Sequence, residues 1–162
     1  MSDTKSEYGT TTDFSTLTNL DSLAAGNIWR SAQKTQTPGA ADDRVDISFK
    51  LCCDANVVDG EAIHFYLGRG DDAASNEIRT AGAATSEAEL SAADDIDDVQ
   101  DACDPVWSAP IDRASQDVQG VFTIEDPGPD WQLYIELDSS AGALDASGNV
   151  VRYRYWHSGD GS

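Results

Sequence analysis

The segment RVDISFKLC, Arg44 to Cys52, alternates without a break: Val45, Ile47, Phe49 and Leu51 fall on one side, and Asp46, Ser48 and Lys50 on the other. Successive side chains of a strand point to opposite faces, so the pattern predicts a strand with one buried face and one wet face. Four other stretches repeat the rule. AIHFYLG (62–68) turns Ile63, Phe65 and Leu67 inward and His64 and Tyr66 outward, and VQGVFTI (118–124) keeps Val118, Gly120, Phe122 and Ile124 in step. WQLYIEL (131–137) aligns Trp131, Leu133, Ile135 and Leu137, leaving Tyr134 on the opposite face. VVRYRYW (150–156) sets Val151, Tyr153 and Tyr155 against Arg152, Arg154 and Trp156. The connections TQTPGAADD, DPGPD and SSAGALDASGN are rich in turn formers, and no strand–helix–strand rhythm or internal repeat is present. The chain therefore reads as all-β: an antiparallel β-sandwich, jelly-roll-like.

At 162 residues it reads as a single sandwich domain over 18–162, preceded by a flexible, Ser/Thr/Asp-rich N-terminal arm over 1–17. Within the domain, 69–117 lacks a period of two and reads as an acidic, partly helical insertion. Ser86 and Glu89 have capping-box spacing, which predicts a short helix near 87–93. Ile96, Val99 and Cys103 recur at helical spacing and predict another short piece, ended by Asp104-Pro105.

Charge is the most lopsided property. There are 23 Asp and 7 Glu against 7 Arg and 3 Lys, a formal net charge of −20. Aspartate carries a charge on a minimal apolar stem, whereas lysine spreads a long one over the surface. Trading one for the other favours solubility in brine, where a Debye length of about 3 Å at 1 M salt screens self-repulsion. The composition reads as adaptation to high salt. It argues against nucleic-acid and anionic-membrane partners, both of which call for clustered Lys and Arg. No apolar run approaches a membrane span, and MSDTKSEYGTTTDFSTLT has no apolar signal core.

Sites for chemistry are sparse. DDIDDVQDACD (94–104) holds six aspartates, but no glycine or glutamate in the spacing of a calcium-binding loop. It reads as a solvated acidic face, with Asp94, Asp95, Asp97 and Asp98 as weak cation candidates at most. Cys52, Cys53 and Cys103 have no zinc-site spacing and read as small buried hydrophobes. A bridge from Cys103 to Cys52 or Cys53 is the alternative, and of the adjacent pair one is expected inside and one outside. Arg69-Gly70-Asp71 spells an adhesion tripeptide that chance readily produces. No nucleophile elbow, phosphate-binding loop or His-based set stands out, so the chain reads as a non-enzyme with no cofactor. Aromatic and arginine side chains opposite the apolar stripes, namely Tyr66, Tyr134, Arg152, Arg154 and Trp156, have the composition of a protein interface unless a further layer covers them.

WQLYIELDSSAGALDASGNVVRYRYW, taken with LDSLAAGNIWRS, RVDISFKL and IHFYLG in that order, resembles a family of small virion structural proteins of tailed viruses. These finish with a strand, a glycine-containing loop, a Gly-Asn turn and a final tyrosine-containing strand. The resemblance implies a capsid-decorating or cementing protein. Its expected place is the capsid surface, following synthesis in the host cytoplasm. Its expected partners are the major capsid protein and other virion proteins, with homo-oligomerisation as a trimer or pentamer. A turret, spike or fibre base, a tail component, or a host- or carbohydrate-binding sandwich module are the alternatives. Joined with the composition, it implies a virus of a salt-loving host. The charge balance predicts that the melting temperature followed by circular dichroism rises substantially between about 0.1 M and 2 M salt; an unchanged melting temperature contradicts the adaptation.

Overall fold

A computed structural model describes residues 5–14, 17–35, 42–70 and 86–159. Eleven strands and one helix are present among them, and every strand pairing is antiparallel. The first sheet contains β1 (Lys5–Tyr8), β11 (Val150–Gly159), β5 (Asp42–Cys52) and β9 (Asp117–Glu125) in that order, with β2 (Thr12–Asp13) also on β11. The second runs β7 (Ala88–Leu90), β3 (Ile28–Arg30), β10 (Asp130–Asp138), β6 (Ala62–Arg69) and β8 (Asp104–Pro110), with β4 (Lys34–Thr35) also on β10. The links β5 to β6, β8 to β9, β9 to β10 and β10 to β11 each pass from one sheet to the other. The expected antiparallel sandwich is the fold.

The five alternating segments are β5, β6, β9, β10 and β11, and their predicted inward residues meet in one core. Val45, Ile47, Phe49 and Leu51 from β5 pack with Phe65, Phe122, Trp131, Leu133, Ile135 and Val151. Burying each such side chain contributes about 1.5–3 kcal/mol. Phe49, Phe65 and Phe122 touch one another with centroids 4.6–6.2 Å apart.

Three expectations are corrected. Residues 1–17 are not an arm throughout: β1 and β2 pair with β11, and Phe14 is buried. Its ring meets Trp29, Trp131 and Tyr153 edge-on, with centroids 5.1–6.2 Å apart, and Lys34 Nζ lies 5.0 Å from its centroid. One phenylalanine in a polar stretch is enough to anchor the segment. Second, Ala88–Leu90 is a strand on β3 instead of a helix. The Glu89 carboxylate that would cap a helix is engaged elsewhere, accepting from Asn27 Nδ2 at 2.6 Å, and the neighbouring Glu87 accepts from Trp29 Nε1 at 3.2 Å. Third, β7, α1 (Ala93–Ala102) and β8 make the segment after 86 an integral part of the second sheet and its cover, not an insertion beside it.

α1 realises the Ile96–Val99–Cys103 spacing, with Cys103 as its C-cap. Asp94 and Asp95 occupy its first turn, where they complement the helix dipole. Val99 and Cys103, with Ile96 alongside, pack with Ile28, Leu90 and Tyr134 on the outer face of the second sheet. Gln100 Nε2 donates to Glu136 Oε1 at 2.8 Å and ties the helix to β10. The molecule thus has three layers: a first sheet with one open face, a second sheet covered on both faces, and a helix. Among the described residues no helix is long and apolar enough to cross a membrane.

The 139–149 loop closes the end of the core. Its Gly142 has φ +88°, and a Cβ there would lie 2.5 Å from the Val57 nitrogen. Asp54 Oδ1 accepts from the backbone N–H groups of Asn56 and Val57, fixing the turn that the glycine meets. Gly26 has φ +77° but an open site. Gly26→Ala is expected to cost about 1–2 kcal/mol in chemical denaturation and Gly142→Ala about 3 kcal/mol or more, because only the latter adds a backbone clash to the left-handed strain.

Candidate functional site: the open face of the first sheet

The interface residues predicted from the sequence divide between two faces. Tyr134 is buried, 1% exposed, and Tyr66 is half-buried against the same cluster. Both stand on the outer face of the second sheet, as their alternation requires, but α1 packs on that face, so Tyr134 is corrected from surface to core. Its hydroxyl donates to Gln132 Oε1 at 3.2 Å, and that of Tyr66 to Glu136 Oε2 at 2.7 Å. Burial first, then the Glu136 carboxylate, raises the Tyr66 pKa far above its ordinary value.

Arg152, Arg154 and Trp156 lie together on β11, on the open face of the first sheet, opposite Ser48, Asp46 and Arg44 of β5. Asp46 organises them. Its Oδ2 accepts from Arg154 Nη2 at 2.9 Å and Trp156 Nε1 at 2.7 Å, and its Oδ1 from Thr123 Oγ1 at 2.8 Å. Burial would raise the Asp46 pKa, but hydrogen bonds from Arg154, Trp156 and Thr123 and the Arg154 charge outweigh it and hold it below the ordinary 3.8.

The rest of this face is also charge-matched. Arg44 pairs with Glu125 at 2.8 Å, Lys50 with Asp117 at 2.8 Å, and Arg152 with Asp13 at 2.5 Å. With the Arg154–Asp46 pair this sets four bases against four acids on one sheet face of a chain whose net charge is −20. Val121 lies in the same row and is 62% exposed. The sequence held its signal: in VQGVFTI the inward residues are Val118, Gly120, Phe122 and Ile124, so Val121 is an apolar residue on the wet side. Trp107, 45% exposed on β8, was missed because its segment carries no period.

The remaining candidates are dispersed. Asp94, Asp95, Asp97 and Asp98 ride on α1, and among the described residues no three His, Cys, Asp or Glu side chains are grouped to hold a metal ion. None of the three cysteines forms a disulfide. Cys103 packs beneath α1, whereas Cys52 and Cys53 close β5 by the 139–149 loop. Both members of the adjacent pair are buried, contrary to the alternation, because Gly148 and Asn149 fold over Cys52: the Cys52 N–H donates to Asn149 Oδ1 at 2.9 Å. Burial, chiefly, pushes the Cys53 thiol up to about 11. Arg69 of the tripeptide pairs with Asp104, and Asp71 lies outside the described residues.

The fold defines an antiparallel sandwich with a helix-covered second sheet. No protein-family model matches the chain, and no curated protein matches it.

The folded Asp46 pKa lies below its unfolded value, so its contribution to stability is complete above the unfolded pKa and fades as pH falls through the folded one. Asp46→Ala is expected to cost about 1–3 kcal/mol at neutral pH, by removing the hydrogen bonds that Asp46 accepts from Trp156 Nε1, Arg154 and Thr123. It should also flatten the acid side of the stability profile below about pH 4, measured by urea denaturation; an unchanged profile removes Asp46 from the acid transition.

Proposed function

We propose that this chain is a non-enzymatic virion structural protein that decorates or cements the capsid of a tailed virus adapted to high salt. The observation that carries the reading is the open face of the first sheet. A protein this acidic repels acidic neighbours over most of its surface, and any partner adapted to the same brine is acidic too. On this face four bases cancel four acids, while Val121 and the half-buried Trp156 add apolar contact area. Charge cancellation with exposed apolar side chains is what lets two anionic proteins meet. The jelly-roll-like, three-layer block would supply a stiff support for contact with a capsid lattice. The resemblance of the 131–156 stretch and the three earlier segments to small virion proteins points the same way, with the major capsid protein as the partner.

Mass spectrometry of purified particles and a map of the particle test this. Decoration predicts many copies at lattice positions, with the open face against the capsid, and Arg152→Glu, which turns a matched pair into two acids, should lower occupancy without unfolding the protein. A few copies at one vertex transfer the protein to a turret, fibre base or tail. Absence from the particles ends the virion reading.

A further inference from the structure

We infer that the cleft between the two edge strands β8 and β9 is a binding site for a neutral saccharide, with Trp107 as its stacking platform. This inference does not rest on the virion reading. β8 ends the second sheet and β9 ends the first, and the two edges lie on the same side of the sandwich, separated by a cleft of about 380 Å³. Trp107 forms one wall. The Phe122 ring lies behind it, nearly parallel, with 3° between the planes and 5.7 Å between centroids. Phe122 is buried, whereas Trp107 is 45% exposed, so the indole is held flat from behind and offers its other face to solvent. An aromatic face held in one orientation is complementary to the apolar C–H face of a pyranose ring, because the ring quadrupole attracts polarised hydrogens.

The opposite part of the cleft supplies the hydrogen-bonding groups that sugar hydroxyls need. Ser108, Asp112, Gln116 and Gln119 line it. Gln116 Oε1 is fixed by the backbone N–H groups of Asp112 at 2.8 Å and Arg113 at 3.2 Å, which commits that oxygen and leaves the amide nitrogen as the donor. The Asp112 carboxylate is exposed and provides acceptors. At Gly120 the Phe49 ring takes the space of a side chain: a Cβ would lie 3.0 Å from it. The missing side chain keeps the wall low beside β9. A charged ligand fits this cleft poorly. No lysine or arginine is among the residues that line it, whereas Asp112 and Asp117 are and would repel an anion. A neutral saccharide meets the chemistry, and stacking and hydrogen bonding to an uncharged ligand depend less on salt than binding of a charged one does.

Saturation-transfer NMR and intrinsic fluorescence at about 2 M salt, where the acidic chain is expected to be folded, test the inference with maltohexaose, cellohexaose and chitohexaose against an alginate hexamer as the anionic control. The expected result is transfer to at least one neutral hexamer and none to alginate. Trp107→Ala should weaken binding about tenfold or more, Trp107→Phe should retain part of it, and both should keep the wild-type far-ultraviolet spectrum. Asp112→Asn, on an exposed loop, supplies a second variant should Trp107→Ala fail to fold, and it is expected to reduce affinity. No transfer to any neutral hexamer, binding indifferent to both variants, or preference for alginate overturns the site.

Discussion

Every residue of β10 from Asp130 to Leu137 is buried, and the rest of the architecture follows from the need to keep both of its faces dry. A strand in an ordinary two-layer sandwich shows water every second residue. Here Trp131, Leu133, Ile135 and Leu137 face the first sheet, while Gln132, Tyr134 and Glu136 lie on the side on which α1 packs. Two polar side chains on the covered side are satisfied in place: Gln132 Nε2 donates to the Ser31 carbonyl at 3.0 Å, and Glu136 accepts from Tyr66 and Gln100, whereas the buried Asp130 carboxylate has no hydrogen-bond partner among the described residues. Replacing that network would leave buried polar atoms without partners, which is costly in a low-dielectric interior.

The fold class was legible because period-two alternation is a direct consequence of strand geometry, and five segments held it. What alternation cannot reveal is whether the polar-looking side of a strand faces water or a third layer. Tyr134 is the example: its position opposite Leu133 and Ile135 was right, and its exposure was not. The helix that buries it was visible in Ile96, Val99 and Cys103, but nothing local told where that apolar stripe would dock. Local signals also lost to tertiary ones at Ser86 and Glu89, where capping-box spacing gave way to a strand because the nearby carboxylates found Trp29 and Asn27. Phe14 shows the reverse: a single apolar residue in a polar stretch carries no pattern, yet it fills a gap between three aromatic rings.

Of the interface residues, Arg152, Arg154 and Trp156 were placed on a shared face by their spacing alone. Their pairing with Asp46 and Asp13 could not be read, since it depends on which strand lies beside which. Trp107 stayed hidden for a similar reason. Its role depends on two sheet edges coming side by side, a relation between segments distant in sequence.

The registers of the first sheet carry a kinetic consequence. β11 lies between β1 and β5, although it is made after both: Lys5 is the partner of Gly159, and Val45 of Tyr155. No nascent chain can complete this sheet before β11 has left the ribosome. Assembly must therefore be late, dominated by contacts distant in sequence, and slow for a domain of this size. Until then β5 and β9 wait as a bare two-stranded ribbon, and the anionic surface that later serves solubility also keeps such half-made chains from sticking together.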